Sequence, residues 1–231
     1  MKKVEYLILS DIHLGTALSQ PSKVHKVLDQ YSFNQLIING DLIEEIVSPK
    51  RELTLEEYNL YNRIMAYNPW IVPGNHGNKY WAALKAQYPN LMIQDFFLIE
   101  KEISPKQVNK IIIMHGDEFD KHTNDDPKLI ERLASSIYLN LAKWWPDAAR
   151  WIKKKSKTIL KVPETLRIAA VNHAFKNNYN VIICGHTHIP EAQRIDAWDL
   201  SYVNSGSFVD NKISFITIDE NIEFVELKIE K

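Results

Sequence analysis

The chain alternates short apolar runs with longer segments in which apolar residues recur at helical spacing. The apolar runs are rich in β-branched and aromatic residues. They are "VEYLILS", which starts at Val4, "QLIIN", "PWIVP", "NKIIIMHG" and "NVIICG". Runs of this length and composition predict buried strands. Segments 22–31, 53–67 and 79–87 have apolar residues three or four positions apart, which predicts amphipathic helices.

The pattern changes in the second half of the chain. Segment 126–175 has an interrupted helical periodicity, and "LSYVNSG", "KISFITI" and "IEFVELKI" follow as further strands. The last two flank "DEN" and predict an antiparallel hairpin. A start of alternating strands and helices followed by an all-β tail predicts two packed sheets flanked by helices. We expect one domain over residues 1–231 with a helical insertion at about 120–165.

Composition narrows the class of protein. The formal net charge is −1, so no overall field attracts nucleic acid or anionic lipid. Cys184 is the lone cysteine and lies in an apolar run, which argues against a disulfide scaffold and fits a reducing compartment. The N-terminal apolar run is too short for a signal peptide, and no stretch approaches the ~18 apolar residues of a membrane span. We therefore expect a cytoplasmic protein.

Residues of the types that commonly bind metals directly follow five of the predicted strands. The five motifs are "LSDIHLG", "INGDLIEE", "VPGNHG", "MHGDEFD" and "CGHTHIP". They supply the candidate ligands Asp11, His13, Asp41, Asn75, His115, His186 and His188. Ligands of open α/β sheets bind beyond the carboxyl ends of the strands, so these residues can meet at one mouth. Aspartate, asparagine and imidazole donors without cysteine suit Mn, Fe, Zn or a similar divalent ion.

Seven candidate ligands are too many for one open site and suit two metals that share a bridging carboxylate. Asp-x-His and His-x-His pairs can present two side chains on the same face of an extended segment, because the strand period is two. Asp-x-His alone or "GNHG" alone is common in turns and caps, and "GHTH" alone is moderately specific. All five motifs in this order are very hard to attribute to chance. By contrast, we assign His25 and His173 to packing or solvent, and His122 is a weak candidate for substrate contact.

The motif set resembles the calcineurin-like metallophosphoesterases over essentially the whole chain. It consists of Asp11-x-His13, Gly40-Asp41, Gly74-Asn75-His76, His115-Gly116 and Gly185-His186-x-His188. The resemblance implies a four-layer αββα sandwich with a dinuclear centre. It implies one metal on Asp11, His13 and His188. It implies a second metal on Asn75, His115 and His186, with Asp41 as the bridge.

The resemblance also implies that His76 faces the substrate phosphate. In some relatives an aspartate three residues after the bridging one orients this histidine, and Glu44 stands there in this chain. Gly77 stands where many members have an acidic residue. The pairing of Glu44 with His76 is possible, but its geometry is open because glutamate is longer by one methylene.

The implied reaction is metal-dependent hydrolysis of a phosphodiester or pyrophosphate bond. Two divalent ions ~3.5–4 Å apart lower the pKa of a shared water and hold both ends of an in-line displacement at phosphorus. His76 and Asp41 are the catalytic candidates, with His76 acting as a general acid or stabilising the developing charge. Mn²⁺ is the first candidate for both ions, and Fe, Zn or Ni are the alternatives.

The segment before "VPETLRIAA" bears on the substrate. It holds Trp144, Trp145 and Trp151 beside Arg150 and several lysines, a mixture that suits a lipid interface or a lipid phosphate. A plain core cap with solvated lysines is an equal alternative. With His122, these four residues are the candidate substrate contacts.

The chain also resembles one branch of this family, the branch that contains UDP-2,3-diacylglucosamine hydrolases. The resemblance rests on the order of "HGDEFD", a helical insertion, "GHTHIP" and "VNSGS". That resemblance implies a lipid-linked diphosphate substrate and peripheral membrane contact. The best-known members of that branch carry arginine where this chain has His76.

Two other functions are compatible with the same fold. A nuclease or nucleotide phosphodiesterase is one, but a nuclease needs a long basic groove, and the basic residues here cluster in one segment. A non-catalytic binding or scaffold module is the other, but such a module should have lost ligands, and all seven are present. The sequence leaves the leaving group and the oligomeric state open.

Overall fold

The computed structural model describes residues 1–44, 52–76, 78–104, 107–119 and 162–227. The candidate contacts His122, Trp144, Trp145, Arg150 and Trp151 lie outside the described residues, as does most of the predicted insertion. None of the described helices is long and apolar enough to cross a membrane.

The described residues form ten strands and four helices, with short 3-10 turns at Asp117–Phe119 and Asp196–Trp198. In chain order the elements are β1 (Lys2–Leu9), α1 (Pro21–Gln30), β2 (Tyr31–Asn39), α2 (Leu55–Ala66), β3 (Trp70–Val72), α3 (Asn78–Gln87), β4 (Phe96–Ser104), β5 (Gln107–Met114), α4 (Val162–Lys176), β6 (Val181–Cys184), β7 (Glu191–Ile195), β8 (Leu200–Asn204), β9 (Ile213–Ile218) and β10 (Ile222–Leu227).

The first sheet has the strand order β10-β9-β1-β2-β3. Strands β1, β2 and β3 are parallel, and β9 and β10 extend the sheet by antiparallel pairing, which confirms the predicted hairpin. In β1, Leu7 and Leu9 pack against the helices, whereas Ile8 packs between the two sheets. Since both faces are covered, these consecutive positions are all apolar.

The second sheet has the strand order β4-β5-β6-β8-β7. Strands β5, β6 and β8 are parallel, and β4 and β7 are antiparallel edges. Ile111 and Ile113 of β5 face the first sheet, and Ile112 faces α4. Helices α1, α2 and α3 cover the outer face of the first sheet. The described layers are therefore helix, sheet, sheet and helix, which confirms the predicted αββα sandwich.

Candidate metal centre

The loops that follow β1, β2 and β3 are joined to one another by their backbones. The amide of Asp11 donates to the carbonyl of Gly40 at 3.2 Å, and the amide of Asp41 donates to the carbonyl of Pro73 at 3.2 Å. Because the three strands are parallel and adjacent, their carboxyl ends form a row along one edge of the sheet. The first three motifs therefore lie side by side.

Buried polar contacts join this row to the ends of β5 and β6 in the second sheet. Asn39 Nδ2 donates to the carbonyl of Met114 at 3.1 Å, and His115 Nδ1 donates to the carbonyl of Asn39 at 2.9 Å. The amide of His186 donates to Asp11 Oδ2 at 3.1 Å. All five strand ends that the sequence singled out thus meet at one place.

The backbone is strained at the candidate ligands. Eight non-glycine residues in the described chain have a positive φ, and five of them are candidate ligands. These five are Asp11, His13, Asp41, His186 and His188, with φ between 49° and 63°. A non-glycine residue in this region costs about 1–2 kcal/mol. Such strain is typical of sites whose side chains must point in a direction that regular structure does not offer.

The ligand atoms fall into three overlapping groups, each with its atoms within 4.8 Å of one another. The groups are Asp11, His13 and His188; Asp41, His115 and His186; and His13, Asp41 and His76. Asp41 belongs to two groups, which is the position a bridging carboxylate needs.

The first group converges on a common point. His13 Nε2 lies 3.3 Å from His188 Nε2, and His188 Nε2 lies 2.9 Å from Asp11 Oδ1. Two imidazole nitrogens and a carboxylate oxygen at these separations form a donor set for a divalent cation.

The second group has the same character. His115 Nε2 lies 3.3 Å from Asp41 Oδ2. Among the described residues, Asn75 Oδ1 is buried without a hydrogen-bond partner. A buried polar atom of this kind requires an explanation, and a bound ion is one. The residues present therefore fit two divalent metal ions.

Charges of both signs are concentrated at this centre. Burial by itself would raise the pKa of Asp41, but His76, His115 and His13 hold this pKa well below its usual value. Burial would likewise raise the pKa of Asp11, and His188 and His13 hold it well below its usual value. The carboxylates therefore stay ionised and attract positive charge.

The histidines show the complementary effect. Burial lowers the pKa of His13, but hydrogen bonding to Asp11 and Glu44 outweighs burial and raises this pKa to about 9. The pKa of His115 is likewise depressed by burial and raised well above its usual value by Asp41. Metal ions and protons therefore compete for these imidazole nitrogens.

Glu44 contacts two histidines at once. Its Oε1 accepts from His76 Nδ1 at 2.7 Å, and its Oε2 accepts from His13 Nδ1 at 3.0 Å. Although burial opposes it, the pKa of Glu44 is lowered by these two hydrogen bonds. The His76 side chain is 20% exposed, against 5% for His13. The ring of His76 therefore lies at the open side of the centre.

A sequence model of calcineurin-like phosphoesterases matches residues 5–190. The chain belongs to the calcineurin-like phosphoesterase family. No curated protein sequence matches it significantly.

Solved structures align with this chain over most of its length at low sequence identity. Vps29 from Chaetomium thermophilum is 15% identical, with 98% of this chain and 88% of that chain covered and a TM-score of 0.50. An archaeal phosphodiesterase is 16% identical, with coverage of 96% and 99% and a TM-score of 0.48. A predicted phosphoesterase from Streptococcus pneumoniae is 16% identical, with coverage of 96% and 89% and a TM-score of 0.44.

The structure adds polar residues around the centre of this calcineurin-like phosphoesterase that motif reasoning did not single out. Asn204 Nδ2 donates to the carbonyl of Gly185 at 2.6 Å and so fixes the loop after β6. Asp210 Oδ2 lies 3.3 Å from His188 Nδ1. The "VNSGS" motif was the available signal for Asn204, and no local pattern marks Asp210.

The remaining histidines in the described chain have other surroundings. His25 Nδ1 lies 3.1 Å from Arg63 Nη1. His173 packs against Phe119 and Tyr179, and burial lowers its pKa. Both agree with the assignment to packing or solvent.

Proposed function

We propose that this chain is a metal-dependent phosphoesterase that hydrolyses a phosphodiester or pyrophosphate bond. The main support is the position of Asp41, whose carboxylate belongs to the group with His115 and His186 and also to a group with His13, which is itself a member of the Asp11 and His188 group. Asp11, His13 and His188 would hold one ion, and Asn75, His115 and His186 would hold the other. Divalent ions bound there would supply charge neutralisation at the phosphate and an acidified water as nucleophile.

The donor set favours Mn²⁺ as the ion, with Fe, Zn or Ni as alternatives. Oxygen and imidazole donors without thiolate suit these metals more than they suit metals that prefer sulfur. Metal analysis of protein purified without chelator should give close to two equivalents per chain and would identify the ion.

We assign His76 to the leaving oxygen of the substrate. Its Nδ1 donates to Glu44 Oε1 at 2.7 Å, so the ring orientation is fixed. Its Nε2 lies 3.9 Å from Asp41 Oδ2, on the side of the ligand groups. A proton on Nε2 is therefore placed for delivery to an oxygen of a phosphate bound there, and a positioned acid of this kind contributes about 10²- to 10⁴-fold in rate.

Two substitutions test these roles separately. Asp41→Asn should lose most turnover and one or both ions, because it removes the negative charge that lies between His13 of one group and His115 of the other. His76→Ala should lower turnover at least about 100-fold while metal content stays near two equivalents. Asp95→Asn, at an exposed position, is the matched control. Near-normal turnover of Asp41→Asn would contradict the bridging role, and loss of metal from His76→Ala would make His76 a ligand.

We also propose a lipid-linked diphosphate such as UDP-2,3-diacylglucosamine as the substrate. The support comes from sequence: Trp144, Trp145 and Trp151 lie near Arg150 in a segment rich in lysine. The test is a screen with Mn²⁺ across mono-, di- and pyrophosphate esters, including nucleotide-sugar lipids and DNA. The lipid-linked diphosphate should give the highest kcat/KM. Preference for DNA would support the nuclease alternative, and a metal-loaded chain without turnover would support a binding module.

We further propose that residues 1–231 form a single domain with a helical insertion at about 120–165. A single cooperative unfolding transition, seen alike by circular dichroism and tryptophan fluorescence, is the expected result. Two separate transitions would contradict it.

A further inference from the structure

The Nδ1 atoms of the imidazole rings at the centre contact two different kinds of group. His13 Nδ1 donates to the carboxylate of Glu44 at 3.0 Å, and His188 Nδ1 lies 3.3 Å from the carboxylate of Asp210. His115 Nδ1 instead donates to the main-chain carbonyl of Asn39 at 2.9 Å. Both histidines of the first ligand group therefore face a negative charge, whereas His115 faces a neutral dipole.

Asp210 is held in its place beside the ring. Ser207 Oγ donates to Asp210 Oδ2 at 2.8 Å, and Gln20 Nε2 donates to the main-chain carbonyl of Asp210 at 2.9 Å. The His188 side chain is 5% exposed and that of Asp210 is 27% exposed. The hydrogen bond from Ser207 therefore fixes the Asp210 carboxylate, the hydrogen bond from Gln20 fixes its backbone, and the side chain stays partly exposed to solvent.

The two ligand groups also differ in their own charge. Asp11 gives the first group a carboxylate that no other group contains, whereas Asn75 can give the second group only a neutral amide oxygen. Asp41 belongs to the second group, but its Oδ2 also lies 3.7 Å from His13 Nε2 of the first group, against 3.3 Å from His115 Nε2 of the second. Because the Asp41 carboxylate lies near both groups, the additional carboxylate of Asp11 makes the attraction for a dication stronger at the first group.

We infer that Asp210 is a positioning residue for His188, and that it acts with Glu44 to make the Asp11, His13 and His188 position the tighter of the two metal positions. This inference rests on the proposed dinuclear centre. A carboxylate at Nδ1 fixes the tautomer that presents Nε2 to a metal, and it raises the basicity of the ring. Loss of such a partner typically costs about 10- to 100-fold in metal affinity.

The experiment is calorimetric titration of chelator-stripped protein with Mn²⁺, repeated with Co²⁺ to follow its visible absorption. The unchanged chain should show two binding events of different affinity. His115→Ala should keep the tight event, and His188→Ala should abolish it. Asp210→Asn should weaken the tight event about 10- to 100-fold and leave the weak event unchanged. Asp210→Glu, which retains the charge, should recover part of the loss, and Asp95→Asn should have no effect.

Each failure of this experiment has a separate meaning. A tight event of unchanged affinity in Asp210→Asn would overturn the role of Asp210. Loss of the tight event in His115→Ala would overturn the order of the two positions. A melting temperature in chelator that falls in Asp210→Asn would make Asp210 a structural residue and also overturn the inference. If the unchanged chain binds fewer than two ions, the proposed function itself fails.

Discussion

Replacing Gly40 by alanine should damage the metal centre and the fold together. Gly40 lies directly before Asp41 and has a φ of +87°. A Cβ built on it would lie 1.9 Å from His115 Nδ1 and 2.3 Å from His115 Cγ. These distances are far below any van der Waals contact, so the His115 ring must leave its position.

The expected loss of stability has three parts. A side chain in the left-handed region costs about 1–2 kcal/mol. Overpacking a closely packed site costs about 1–3 kcal/mol. Displacing His115 also breaks its hydrogen bond to the Asn39 carbonyl, which is worth about 0.5–1.5 kcal/mol. We therefore expect Gly40→Ala to lower the free energy of unfolding by about 3–6 kcal/mol.

Gly15→Ala is the matched control because it separates backbone strain from collision. Gly15 has a φ of +95°, but a Cβ there would meet its nearest atom, Leu53 Cδ2, at an ordinary 3.6 Å. It should lose only about 1–2 kcal/mol.

The assay for both variants is urea unfolding in chelator, followed by circular dichroism, with metal content measured separately. Gly40→Ala should also bind fewer ions, since His115 is a proposed ligand. Equal losses of stability in the two variants would contradict this prediction, because the contact of the new Cβ with His115 would then cost nothing.

Two further predictions concern pH and a helix cap. The pKa of the His13 imidazole is raised to about 9 in the folded chain, so the folded chain holds a proton there that the unfolded chain loses near pH 6.5. In chelator, the free energy of unfolding should therefore fall by up to about 3 kcal/mol as pH rises from 6.5 to 9. Urea unfolding at a series of pH values checks this, and stability that rises over the same window would contradict it. Thr54→Ala should cost about 1 kcal/mol because the Thr54 side chain and Glu57 form a capping box at the start of α2. Its loss should be the same with and without metal, and an unchanged urea midpoint would show that the cap contributes nothing.

The strands that position the centre were predictable because the apolar residues that are buried in them are consecutive in the sequence. The last three residues of β1 and all of β6 are apolar and buried, and a candidate ligand, Asp11 or His186, lies two residues after the end of each strand. By contrast, β7 is polar along most of its length and exists through its pairing with β8, with Ala192 opposite Val203. In β4, Phe97 and Ile99 are buried while Phe96 and Leu98 are exposed. Because that apolar run does not distinguish its two faces, the sequence pattern does not predict β4.

Residue types and their order along the chain are enough to identify the side chains that can bind a metal and the strand that each of them follows. These properties depend on residue type and on neighbours a few positions away, so they can be found from the sequence. By contrast, the contacts of Glu44 with His13 and His76, and the contact of Asp210 with His188, are visible only in the folded chain. These contacts join loops that are far apart in the chain, and the distance between such loops depends on how the strands pair and how the two sheets pack.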